Sequence, residues 1–140
     1  MKQKKNNLRL TALLLVTGMI SVDCVYASDD NYSFDANLYA FHGNSYTKEH
    51  YRQTTSPNNP WKVNLAYSKE GVGTYATFWL DSDQKGGRVS GYYNVKQGTG
   101  ANYLPAYSFV NQSNCGLGME NNNYTNGVYP INGYWDEETW

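Results

Sequence analysis

The chain has 140 residues, with 11 Lys or Arg against 12 Asp or Glu, two histidines, and an aromatic share of 16% resting on 14 tyrosines, four tryptophans and four phenylalanines. One domain of this length can bury a core without crosslinks. A balance near neutrality with no Lys/Arg cluster beyond the first residues argues against nucleic acid as a partner, because phosphate binding rests on clustered basic side chains, and equally against attraction to anionic lipid.

At the start of the chain, Lys2, Lys4, Lys5 and Arg9 precede an apolar stretch from Leu10 to Ile20. That stretch has the length of a signal-peptide core and falls short of the roughly 20 residues of a membrane span. Val25-Tyr26-Ala27 offers a branched and a small residue at the two positions a signal peptidase reads, which places cleavage after Ala27. Residues 1–27 are therefore expected to be a signal peptide, and 28–140 a single extracellular β domain without a stable membrane anchor. Cys24 competes as a lipid-attachment residue, but Val22 and Asp23 lack the small residue usually required before it. Cleavage leaves seven basic and eleven acidic residues, a mildly acidic protein, and it leaves Cys115 alone. No internal disulfide is then available. Cys115 reads as a buried small hydrophobe, with an intermolecular partner or a reactive thiol as the alternatives.

Leucine-rich helical stripes are absent from the mature segment. In "YSFDANLYAF", Tyr32, Phe34, Ala36, Leu38 and Ala40 alternate with Ser33, Asp35, Asn37 and Tyr39, the period of a half-buried strand. "SPNNP" is a turn, and "WKVNLAYS" after it alternates again, with Trp61, Val63, Leu65 and Tyr67 on one face. "TYATFWLDS" is aromatic and β-branched on both parities, which predicts a strand covered on both faces. "DSDQKGG" has the length of a hairpin loop, and "RVSGYYNVKQ", "PAYSFVNQ" and "GVYPINGYW" read as further short strands. "GVG", "GTG" and "GLG" fall in hairpin-like contexts, and "ENNNYTNG" is an asparagine-rich loop. Only "SDDN" at the mature start reads as disordered. Six to eight short antiparallel strands predict an all-β fold, a small antiparallel β-sandwich or compact barrel.

No pattern of catalytic spacing emerges. "DSDQKGG" places Asp81 and Asp83 two apart and Gly86 sixth, as in a calcium loop, but Lys85 is fifth and Tyr92 twelfth, where oxygen ligands belong. His42 and His50 lie eight apart and form no paired-His metal spacing. No cofactor and no metal are expected. Glu70, Asp81, Glu120 and the terminal acids are available for the facing carboxylates of a glycosidase, a pairing that spacing along a β chain does not fix. Tyrosines interspersed with asparagines suit recognition surfaces, since a flat ring offers area at small entropic cost and amides supply adaptable hydrogen bonds. The candidate binding residues are Tyr46, Tyr51, Tyr92, Tyr93 and Tyr124, with Asp136, Glu137 and Glu138 of the closing "GYWDEETW" as a cation or partner site. The plainer expectation for those acids is an exposed end, with Trp135 closing the core, the acids discouraging edge pairing, and Trp140 capping the sandwich or lying on its surface.

Taken together, "YRQTTSPNNPWKVNL", "GTYATFWL", "VKQGTGANYLPAYSFVNQ", "ENNNYT" and "GYWDEETW" resemble a group of small secreted proteins of Gram-positive bacteria, chiefly bacilli, catalogued as a domain of unknown function. The resemblance implies an extracellular protein and supplies no catalytic residues. A looser similarity, in composition and export, is to the lactococcin 972-like bacteriocins, small β-sandwiches rich in Gly, Asn and Tyr. Two functions are therefore expected as alternatives. One is a non-enzymatic binding protein, recognising a cell-envelope glycan or protein or acting as a bacteriocin-like antagonist; the other is a small extracellular hydrolase using a carboxylate pair.

Overall fold

A computed structural model describes residues 29–139. The expected signal peptide and Trp140 lie outside the described residues. Ten strands follow in chain order: β1 (Tyr32–Leu38), β2 (Ser45–Tyr46), β3 (His50–Arg52), β4 (Trp61–Ser68), β5 (Tyr75–Ser82), β6 (Gly87–Arg88), β7 (Tyr93–Lys96), β8 (Asn102–Leu104), β9 (Ser113–Asn121) and β10 (Tyr129–Asp136). Every pairing is antiparallel. The first sheet has the order β1-β10-β4-β8. In the second, β9 and β5 are central, β2 and β3 pair in succession along the free side of β9, and β7 and β6 along the free side of β5.

Alternation makes the core. Phe34 and Leu38 of β1, Trp61, Val63 and Leu65 of β4, and Ile131 and Trp135 of β10 face Ala76, Phe78 and Leu80 of β5 and Cys115, Leu117 and Met119 of β9. Phe34 and Phe78 meet across the two layers with ring centroids 5.9 Å apart. This is the expected sandwich. β1 and β4 occupy the stretches whose alternation predicts them, β10 falls within "GVYPINGYW", read as a further short strand, and β5 is covered on both faces as its composition requires.

Several expectations are corrected. Tyr67 faces outward and Ser68 inward, because the register of β10 against β4 shifts between Asn132 and Gly133. Such a bulge inverts the parity of everything beyond it. "PAYSFVNQ" is no strand: Ala106 makes one isolated bridge to Ser90, and Ser108–Val110 is a 3₁₀ turn that buries Val110 while exposing Phe109. "GLG", expected in a hairpin, lies in the middle of β9. "GVG" and "GTG" do turn, with Gly71, Gly73, Gly98 and Gly100 at positive φ. The segment expected to be disordered is docked from Asp29 onward: Asp29 pairs with Lys62, and the Asp30 N–H donates to Asp136 Oδ2 at 2.7 Å.

Candidate functional site

The outer face of the second sheet carries a row of aromatic rings that runs across its strands. Along β5 the odd residues point away from the core, so Trp79 stands on the outer face opposite Gly118 of β9, which in turn pairs with Tyr46 of β2. Glycine is required there: a Cβ at residue 118 would lie 2.3 Å from the Trp79 indole. The indole occupies the space a side chain would fill, an arrangement in which an aromatic neighbour covers a strand glycine. Trp79 is itself only 2% exposed, whereas Tyr46 and Tyr92 on either side of it are 56% and 58% exposed. Their rings meet the indole edge-on, at 6.0 Å for Tyr46 and 5.1 Å for Tyr92. Trp79 thus props two tyrosines in fixed poses, and such edge-to-face pairs add about 0.5–1.5 kcal/mol each beyond area burial.

Gly118→Ala is expected to displace the indole and cost about 1–3 kcal/mol, the range for overpacking a filled site. Thermal or urea denaturation of the variant checks it.

The row continues through Arg88, whose guanidinium lies 4.4 Å from the Tyr92 centroid, and whose Nη1 donates to Tyr107 Oη at 3.2 Å. Tyr107 in turn lies 5.6 Å from Phe109. Beside Tyr46 opens a cleft of about 440 Å³ lined by Tyr46, Thr47, Glu49, Asp81, Asp83 and Gly116. Its floor has a local cause. Between β2 and β3 the chain carries one residue more than β9 opposite, and Thr47 closes the gap by donating its N–H to the Leu117 carbonyl and accepting the Leu117 N–H on Oγ1. This bulge sets Glu49 over Gly116, the residue that pairs with Asp81. Glu49 Oε1 accepts the Asp83 N–H at 2.7 Å, which leaves its second oxygen and the Asp81 and Asp83 carboxylates as acceptors at the cleft. Among the described residues no group of three or more His, Cys, Asp or Glu is placed to hold a metal ion.

The sequence-derived candidates divide. Tyr46 and Tyr92 belong to the row, and Tyr51, half exposed and opposite Asn114, lies on the same outer side. Tyr93 turns the other way, packing against the core and 6.0 Å from Trp61. Tyr124 lies beyond the end of β9, against Phe41 at 5.2 Å and His42 at 5.4 Å, away from the row. His42 Nδ1 bonds the Asn121 carbonyl, and His50 stacks on Tyr32 at 3.6 Å.

The terminal acids are not an exposed tip. Asp136, Glu137 and Glu138 are all buried, because the chain after β10 folds back as a clasp rather than running into solvent. Glu138 Oε1 and Oε2 accept the Gln53 and Thr54 N–H groups at 3.0 and 2.7 Å. Asp136 accepts from the Asp30 and Glu138 N–H groups and lies 3.8 Å from Lys62 Nζ. Arg52, 1% exposed, donates to the carbonyls of Glu137 and Asn59 and, at 3.0 Å, to Asn111 Oδ1. Burial pushes the Cys115 thiol well above its ordinary value, so Cys115 is a core residue and not a thiolate nucleophile.

Trp79, Glu49 and Arg52 were not among the sequence candidates. For Trp79 a signal existed: it has the parity opposite to Phe78 and Leu80 in a strand covered on both sides. Glu49 depends on the bulge and Arg52 on partners 59 and 85 residues away, neither of which local reading contains.

A family model described as "Protein of unknown function (DUF2712)" matches residues 21–139. No curated protein and no solved structure matches the chain.

Proposed function

We propose, on the premise that this chain belongs to that family of proteins of unknown function, that it is an extracellular binding protein seating a cell-envelope glycan on the outer face of its second sheet. One observation carries the reading: a buried tryptophan packed over Gly118 meets two exposed tyrosines edge-on, one of them on the wall of an open cleft of carboxylates. Side chains that serve packing alone need no such support. Flat tyrosine rings cover the apolar faces of pyranose rings, while carboxylates accept from ring hydroxyls without bringing a cation. Pre-set rings also lose little freedom on binding, which favours affinity.

The test is retention of residues 28–140 on insoluble cell-wall polysaccharides, together with growth inhibition of susceptible Gram-positive cells. The wild type is expected to be retained, and Tyr46→Ala and Tyr92→Ala to lose about tenfold in affinity each, roughly 1.4 kcal/mol, while staying folded with a stability loss of about 0.5–1.5 kcal/mol, that of one edge-to-face ring pair. Retention unaffected by both variants, or none on any glycan, contradicts the reading. Inhibition of growth alongside retention would make the protein an antagonist that uses the same face.

The placement of Glu49 and Asp81 around Gly116 favours a second reading, glycan hydrolysis by a carboxylate pair. The bond from Asp83 to Glu49 weighs against it, because one of the two carboxylates is already engaged. Release of soluble sugar, abolished in Asp81→Asn and Glu49→Gln, would replace the binding reading with the enzymatic one.

A further inference from the structure

The clasp and the aromatic face share one segment of chain. Residues 45–54 bring Tyr46 and Glu49 to the cleft, and a few positions later bring Arg52, Gln53 and Thr54 to the C-terminal clasp. What anchors one end of this short segment restrains the other.

Glu137 lies inside the clasp, 2% exposed, and its Oε2 has no hydrogen-bond partner among the described residues. An unpaired buried oxygen costs little on a neutral carboxyl and a great deal on a carboxylate. The groups around it make the charge still less welcome. From its own segment Asp136 and Glu138 repel it and from the N-terminal segment Asp30, while the Tyr32 hydroxyl of β1 and the buried Cys115 thiol of β9, which also face it, are both held in their neutral forms and bring no compensating charge. Arg52 of β3 is a cation close enough to act on Glu137, but its Nε, Nη1 and Nη2 donate to Asn111 Oδ1, the Glu137 carbonyl and the Asn59 carbonyl, so none of these bonds reaches the Glu137 carboxyl. His50, stacked on Tyr32, is held below its ordinary value by burial and by Lys48, so it brings no compensating charge near neutral pH.

We infer that the proton on the Glu137 carboxyl latches the clasp: while it is present the 45–54 segment is held and the aromatic face assembled, and its loss loosens the segment and weakens ligand retention. The ligand half of this statement rests on the proposed binding role, and the latch itself does not. Burial above all, then the like charges of Asp136, Glu138 and Asp30, raise the Glu137 carboxyl to about 8, against the opposing bond from its own N–H. A folded value above the unfolded one means that the stabilisation is complete below the ordinary glutamate value of about 4.3 and is lost as pH rises through about 8. Burial shifts Asp136 in the same direction, offset by the N–H groups of Glu138 and Asp30 and by Lys62.

The experiment is a carbon-13 and amide NMR titration of residues 28–140 from mildly acidic to alkaline pH, in the wild type and in Glu137→Gln. The Glu137 side-chain carbon is expected to titrate near pH 8, with the Gln53 and Thr54 amides shifting at the same midpoint, and those amides to stay flat in the variant. A Glu137 carbon that titrates in the ordinary carboxylate range overturns the latch whatever the variant does. Amides that titrate alike in both proteins overturn it as well. Retention on cell-wall polysaccharide, compared below and above the midpoint, reads the second half: the wild type should lose several-fold on the alkaline side and Glu137→Gln should not. A titrating latch with unchanged retention would overturn the coupling, while a titrating latch with no retention at any pH would sink the binding role and leave the latch standing.

Discussion

Arg52→Met is expected to destabilise the fold by about 3–5 kcal/mol, the range for removing one partner from a buried charged network. The methionine keeps most of the length and apolar volume, so the loss falls on hydrogen bonds rather than on a cavity. It leaves the Glu137 and Asn59 carbonyls and Asn111 Oδ1 without the donor that now serves all three. Losing this donor costs about 1–3 kcal/mol at a buried acceptor such as the Glu137 carbonyl. The removed cation also stands beside the carboxyl groups of Glu138 and Asp136, which would face one another without it. Urea unfolding of the two proteins at neutral pH measures the difference. A loss under about 1 kcal/mol would mean that the guanidinium is dispensable and that solvent enters the clasp to replace it.

Trp79→Ala is expected to cost about 3–5 kcal/mol in stability, as for large aromatic truncations, and to abolish glycan retention. The second effect is the informative one, since a side chain only 2% exposed offers a ligand almost no surface. Its removal acts through Tyr46 and Tyr92, which lose the ring against which their edges are fixed. Trp79→Phe should recover part of both losses. Retention that survives Trp79→Ala in the folded fraction would detach the two tyrosines from their support and remove the reason for regarding the row as built.

Much of the sandwich is legible in local sequence. β1 and β4 announce themselves by alternation because each has one face in the core, and β5 by its apolar residues on both parities because its outer side carries Trp79. β9 stayed hidden. "SNCGLGMEN" offers glycine and asparagine at every outward position but one, and such a pattern reads as a turn. Those glycines are there because neighbours occupy their space: the Trp79 indole at Gly118, and the Thr47 carbonyl and Glu49 side chain at Gly116. The strand that looks weakest alone is therefore the one over which the candidate site is built.

The terminal acids show the opposite error. Three consecutive carboxylates look like a solvated end, and by composition alone no other reading is favoured. Their burial depends on the amides of Gln53 and Thr54, on Arg52, and on Lys62, which reach them only once the fold has formed. The tyrosine candidates fared according to parity. Tyr46 and Tyr92 were identified from residue type and face outward, whereas Tyr93, one position on from Tyr92, points to the core as strand alternation demands.

Chemical-shift mapping of residues 28–140 with soluble fragments of cell-wall polysaccharide tests the proposed binding face directly. Perturbations confined to Tyr46, Glu49, Asp81, Asp83 and Tyr92 and their strand neighbours are the predicted result. Perturbations centred instead on Phe41 and Tyr124, or absent at saturating fragment, would contradict it.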